Sequence, residues 1–359
     1  MQPEGGPASK IIGCVIGIGL LVVLGAVGFA IANDGGMRIV FGVIAAVIAL
    51  IIGVTVVRSQ IARGTYEVIL PELTGAPRLG SALRWRPAVQ CKKAFTTGTP
   101  TAQLICREHA VNRGGTSDTH YNNDLVKQEF VLGEARRLSP GEVAEFAVDA
   151  RLPANGIPSF SGQNNFIEWE LVVRVPARGL IPDIRQAQSL QIPPELEKNA
   201  DRGMGPESVI PVEWLAQVKA PRVRDKQGPV SGRMTARDAA TSNGLYVVAA
   251  GETLKLELNV ETSSNIHCRN VLCWAGCKIH GSGSEEKVTV LEWHPILEGD
   301  FNAGMVINRT LEVRVPKEGP VSFQGRYVKM DWMVRVRVDI PIWRDKVLEL
   351  PFIVTPRLV

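Results

Sequence analysis

The chain has 359 residues, 45% hydrophobic and 21% charged, with a net charge of +4. That length suggests about two globular domains and the composition is that of an ordinary globular protein. So small a net charge gives no ground for a nucleic-acid partner.

A short tail, residues 1–10, opens the chain. From Ile11 to Ala32 the Cys14 thiol is the sole ionisable side chain, and Ile39 to Val57 carries no charge. Each run is long enough to cross about 30 Å of hydrocarbon as a helix. A cleaved signal peptide is the competing reading of the first run, but only Lys10 precedes it and a second span follows at once. The connection from Asn33 to Arg38 has the Asn, Asp and Gly residues of a tight reversal. Residues 11–58 are therefore expected to form a two-helix transmembrane hairpin. With Lys10, Arg58 and Arg63 flanking it, the positive-inside tendency puts both termini and everything after Val57 on the cytoplasmic side of an inner or plasma membrane. Neither span holds Asp, Glu, Lys, Arg or His, so the hairpin reads as an anchor and not an ion pathway.

Beyond Thr65 the sequence breaks into short period-two segments separated by Gly, Pro, Asn and Ser, beginning with Tyr66 to Leu70 and Ala102 to Cys106. This pattern predicts an all-β soluble part built as sandwiches. The chain also repeats itself. With a constant shift of 163, Gly141 to Val175 matches Gly304 to Val338 at 12 of 35 positions, including Ser159/Ser322, Phe160/Phe323, Gly162/Gly325 and Trp169/Trp332. Unrelated sequences would match at about two. In the first copy Ile167, Trp169, Leu171, Val173 and Val175 alternate with mostly polar residues, and in the second Met330, Trp332, Val334, Val336 and Val338 do the same. A half-solvated antiparallel strand is expected at each place, with its tryptophan in the core. Further back, Cys106 to His109 resembles Cys277 to His280 at a shift of 171, which implies eight extra residues in the first copy. The polar stretch from Asn112 to Asn123 is the natural place for them. Residues 64–194 are thus expected to form one domain, 195–234 a polar linker, and 235–359 a second domain.

Certain residues of the repeat carry a family resemblance. Pro140-Gly141-Glu142, Leu152-Pro153, a loop from Ser159 to Gly162 before Ile167-x-Trp169, and an aspartate after each tryptophan strand (Asp183, Asp345) resemble arrestin-fold domains. The resemblance implies two tandem immunoglobulin-like (arrestin-like) β-sandwiches acting as a non-enzymatic scaffold or adaptor for a protein partner. A two-helix membrane hairpin is foreign to the familiar members, and the charged set that forms the polar core of visual arrestin is not found here. Phosphopeptide binding is accordingly not carried over.

His267, Cys268, Cys273, Cys277 and His280 form the one cluster of residue types that bind metal, and a small-ligand or metal-binding module is the competing function. The cysteines are separated by four and three residues and have no distant second pair, unlike strong zinc signatures. Cys277 also matches Cys106, where no cluster exists, so core thiols are the expectation. In a cytoplasmic setting all the cysteines are expected to be free; a translocated orientation would allow a Cys91–Cys106 bridge instead. No P-loop occurs, no nucleophile and base can be paired, and Gly281-Ser282-Gly283-Ser284 lacks the strand-turn-helix setting of a nucleophile elbow. Neither enzymatic activity nor a cofactor is expected.

Overall fold

A computed structural model describes residues 36–114, 117–179, 181–198, 229–242, 244–340 and 345–359. The first apolar run, Ile11 to Ala32, lies outside them, as do residues 199–228 of the expected linker, with Trp214, and the loop with Trp343.

The second apolar run lies in α1 (Gly36–Thr65), a helix of 30 residues and about 45 Å in length. It continues past Val57 because Ser59, Gln60, Ile61, Ala62 and Arg63 include no proline and favour the same conformation. Among the described residues it holds one stretch, Val47–Thr65, long and apolar enough to cross a membrane. Its end is fastened: Thr65 Oγ1 donates to the Ile61 carbonyl (2.7 Å), and the Thr65 carbonyl accepts from the Lys92 and Lys93 amides (2.7 and 3.0 Å). The next residue, Tyr66, already belongs to a strand.

Every other helix or strand among the described residues is a β-strand. The first repeat supplies β1 (Tyr66–Ile69), β2 (Ala82–Trp85), β3 (Ala88–Cys91), β4 (Phe95–Thr96), β5 (Thr101–Asn112), β6 (Thr119–Val131), β7 (Arg137–Leu138), β8 (Val143–Glu145), β9 (Val148–Arg151), β10 (Phe160–Ser161), β11 (Asn165–Val175), β12 (Ile184–Leu190) and β13 (Glu195–Leu196). The second supplies β14 (Val230–Arg237), β15 (Ala240–Ser242), β16 (Leu245–Ala249), β17 (Thr253–Thr262), β18 (Ile266–His280), β19 (Glu285–Phe301), β20 (Val306–Arg314), β21 (Phe323–Gln324), β22 (Lys329–Asp339), β23 (Lys346–Thr355) and β24 (Arg357–Leu358). Both ends of the stretch read as a linker, 195–234, therefore hold strands. β13 pairs in parallel with β24, and β14 pairs with β17 over eight residues.

The larger sheet of the first repeat runs β10-β11-β5-β6, with β12 also on β11; that of the second runs β15-β16-β23-β22-β18-β19, with β21 on β22. The smaller sheets match as well. Leu83 pairs with Ala150 and Val89 with Ala144, while Leu254 pairs with Val313 and Val260 with Ile307 at the same shifts of 171 and 163. The single strand β17 corresponds to both β2 and β3 because Pro87, standing where the second repeat has Leu258, has no amide to donate to a ladder.

Hydrogen bonds repeat too. Trp169 Nε1 donates to the Ile157 carbonyl (2.7 Å) and Trp332 Nε1 to the Pro320 carbonyl (3.0 Å). Ser159 Oγ accepts from the Ile192 amide, as Ser322 Oγ does from Val354. Arg174 and Arg337 pair with Asp183 and Asp345, the aspartates of the sequence motif. Both tryptophans are 1% exposed, and the inward faces of β11 and β22 are buried as the alternation predicts. The apolar faces of larger and smaller sheets join one contiguous buried cluster.

Candidate functional site

The Cys/His cluster does not converge. Its five residues lie along the single strand β18, and the 13 steps from His267 to His280 span about 43 Å in extended form, whereas zinc needs its ligands within about 2.3 Å. Cys268, Cys273 and Cys277 are at most 1% exposed. Burial pushes the Cys273 thiol up to about 12 and raises that of Cys277 as well, with Asp331 adding to the latter, so both resist becoming the thiolates that metals bind. His267 meets Asp300 at 2.6 Å and His280 meets Glu285 at 3.7 Å, both near the surface. Among the described residues no group of three His, Cys, Asp or Glu is placed to hold a metal ion. Cys277 lies opposite Trp332 just as Cys106 lies opposite Trp169. Cys91 and Cys106 are free buried thiols.

A fully buried carboxylate stands where the two repeats meet. Glu108 stands on the inward face of β5, in line with Ala102, Leu104, Cys106 and Ala110, and is 0% exposed. Its carboxylate accepts from Asn123 Nδ2 (2.7 Å) on the neighbouring strand of its own repeat. It also accepts from three consecutive amides of the other repeat: Arg326 (2.9 Å), Tyr327 (3.0 Å) and Val328 (3.0 Å). Successive backbone N–H groups of this kind form an anion-binding concavity, and each bond is charge-assisted.

The reverse exchange occurs a short way off. Glu286 on β19 accepts from the amides of Gln163 and Asn164 (2.6 Å each) and from Asn165 Nδ2 (2.6 Å). Adding 163 to 163, 164 and 165 gives 326, 327 and 328, so the same loop of each repeat receives a carboxylate from the other. The residues that bear the carboxylates are not at equivalent positions. Glu108 corresponds to Ile279, and Glu286 to Asn123, the residues paired with the other carboxylate on its own sheet.

The loop motif thereby acquires a physical reason. A Cβ at Gly162 would overlap the Glu286 carboxylate, and one at Gly325 would overlap that of Glu108. Glycine at both positions of Ser-Phe-x-Gly is thus needed for the close approach. The turn from Gly281 to Ser284 is shaped by the same contact, since a Cβ at Gly281 would strike Asn165 and one at Gly283 would strike Asn112. Tyr121 and Tyr327 add a ring contact across the junction, centroids 5.5 Å apart.

Asn112 belongs to the extra eight residues. Twelve residues separate His109 from Asn122 in the first repeat and four separate His280 from Glu285 in the second, a difference of eight. Part of the insertion is strand and not loop, because it lengthens the β5–β6 hairpin by the pairs Ala110–Tyr121, Val111–His120 and Asn112–Thr119. Val111 bonds the Asn164 carbonyl, and so the lengthened hairpin supports the loop that receives Glu286.

A second tie is made by the last residues. Glu195 on β13 pairs with Arg357 on β24 and with Arg78 (3.0 Å), and its carboxyl is held below the usual range mainly by the Arg357 hydrogen bond. The Val359 amide donates to the Leu196 carbonyl and Lys198 to that of Val359.

The sequence reading did not single out Glu108 or Glu286. For Glu108 a signal existed: Ala102, Leu104, Cys106 and Ala110 alternate on an apolar face, and a carboxylate sits in the middle of it. Glu286 offers none, because it is one acid of a polar hairpin. No protein-family model matches this chain, and a comparison with curated proteins gives no match either.

Proposed function

We propose that the chain is a membrane-tethered, non-enzymatic scaffold in which two immunoglobulin-like, arrestin-like sandwiches bind a protein partner on the cytoplasmic face. The observation that carries this reading is α1. Ile44, Val47, Ile48, Leu50, Ile51, Ile52, Val54 and Val56 are 38–59% exposed and lie around the helix; Thr55, the one polar residue between Ile44 and Val56, turns its hydroxyl onto the Ile51 carbonyl (2.7 Å). At about half exposure each gains about 1 kcal/mol from leaving water, and a lipid bilayer is the surrounding that covers every side of a helix at once. A second span from Ile11 to Ala32 completes the hairpin, and Lys10, Arg58 and Arg63 orient it. For the partner, the larger sheet of the first repeat ends on β6, whose outer edge has no strand beside it among the described residues and exposes Lys127, Glu129 and Val131. An extended peptide can add to such an edge through main-chain hydrogen bonds.

Two measurements test the reading. A reporter fused after Val359 is expected to be active on the cytoplasmic side, and activity confined to the outer side overturns the orientation. A photocrosslinking side chain at Lys127 or Glu129 in native membranes is expected to join one recurring protein that the same group at Lys255, on the smaller sheet of the second repeat, does not. Equal yields at all these positions refute the edge as a docking surface.

A further inference from the structure

We infer that the end of the first repeat from which α1 emerges is a headgroup-binding collar that rests on anionic lipid. This inference rests on the reading of α1 as a membrane span. The helix passes into β1 with no intervening residue, and Thr65 is bonded to the Lys92–Lys93 turn. From Val57, the last residue of the apolar run, to Thr65 the helix rises about 12 Å. The headgroup layer is roughly 5–7 Å thick on each side and the Debye length near physiological salt is about 8 Å, so the loops around Thr65 lie within reach of lipid charge.

Three loops gather at this end. Lys93 Nζ lies 4.0 Å from where a Cβ on Gly64 would stand. The Thr97 amide bonds the Arg136 carbonyl, Thr96 pairs with Arg137, and the Arg178 amide bonds the Thr96 carbonyl. Asp183 is placed here too: Arg174 is the main cause of its low carboxyl pKa, and Arg58 on the helix contributes.

The charge of this end is one-sided. Glu67, Glu142 and Asp183 are occupied by Lys92 (2.9 Å), Arg136 (3.7 Å) and Arg174 (2.6 Å). That leaves Arg58, Arg63, Lys93, Arg137 and Arg178 exposed and outside any ion pair among the described residues, against the lone carboxylate of Glu134. These five cations are drawn from the helix and from all three loops at the exit point. A group of positive side chains within a Debye length of the headgroups is complementary to phosphatidylserine and similar anionic lipids. Each cation near such a surface shifts the docked-to-undocked ratio roughly fivefold, and removing three lowers it roughly a hundredfold.

The test uses the full chain in lipid nanodiscs. A bimane fluorophore is attached at Ala94→Cys, an exposed position between Lys93 and Phe95, in a Cys14→Ser background; the cysteines of the β part are buried. Headgroup spin-labelled lipid is expected to quench it strongly in discs containing phosphatidylserine and weakly in phosphatidylcholine alone. The combined change Lys93→Gln, Arg137→Gln, Arg178→Gln is expected to bring quenching in anionic discs down to the phosphatidylcholine level. All three side chains are exposed, so the fold is retained, as unchanged tryptophan fluorescence would report. Equal quenching in the two lipids with the chain inserted overturns the lipid contact and leaves the membrane span standing. A chain that fails to enter discs of either lipid overturns both.

Discussion

Replacing Glu108 is the most demanding test of the junction between the repeats. Its carboxylate is wholly buried and accepts four hydrogen bonds, three of them from amides of the other repeat. In Glu108→Ala the Val328 amide, itself on a fully buried residue, loses its acceptor where water cannot replace it. A buried orphaned donor costs about 1–3 kcal/mol. Asn123 and the Tyr327 amide are partly hydratable and add less, so the total loss comes to about 3–5 kcal/mol, a large share of the 5–15 kcal/mol typical of a folded domain. Glu108→Gln keeps the shape but turns one oxygen into an NH2 group facing N–H donors, and its loss is about 2–3 kcal/mol. Urea unfolding of the full chain in detergent micelles, followed by tryptophan fluorescence, reads both values. Glu129→Ala on the exposed edge of β6 is the control, with an expected change within about 0.5 kcal/mol. If Glu108→Gln is as stable as the unaltered chain, or Glu108→Ala no worse than the control, the carboxylate does not hold the repeats together as described.

Other outcomes follow from the same geometry. Gly162→Ala is expected to destabilise by about 1–3 kcal/mol through overlap with the Glu286 carboxylate. Most of that loss should vanish in the Glu286→Ala background, and a double-mutant cycle with no coupling would refute the contact. Trp169→Ala and Trp332→Ala should each cost about 3–5 kcal/mol, and markedly unequal losses would show that the repeats do not use their tryptophans alike. The Glu195 carboxyl is held below its ordinary value, so its stabilising effect is present above about pH 4.5 and is lost as pH falls through the folded value. Melting temperatures recorded between pH 6 and pH 3 should accordingly fall less in Glu195→Gln than in the unaltered chain; parallel curves would count against the tie.

Much of the β architecture was legible because period-two burial is a local signal. The tryptophan strands and their inward faces could be read from alternation alone. The duplication was legible for a different reason, since glycines and prolines that set turns must recur wherever the turn recurs. What could not be read was the use made of those glycines. Gly162 and Gly325 look like ordinary turn residues until a carboxylate more than 120 residues away is placed beside each. The eight extra residues were expected as a loop for their Gly, Ser and Asn content, yet part of them continues a ladder because Val111 finds an acceptor at Asn164. The ends of the linker misled likewise. Glu195 and Leu196 carry no alternating pattern of their own, and they become a strand through the last residues of the chain.

The exchange of carboxylates between the repeats approximates an isologous contact, with equivalent loops received on both sides although the carboxylates stand at different positions. Such a contact closes on itself after two units. With Glu108 and Glu286 each occupied by the other repeat's loop, neither loop remains open to receive a third unit. A further copy of the chain therefore has no place to add by this route, and growth into a filament through it is blocked by geometry and not by affinity. Any larger assembly of this protein has to be built through other surfaces.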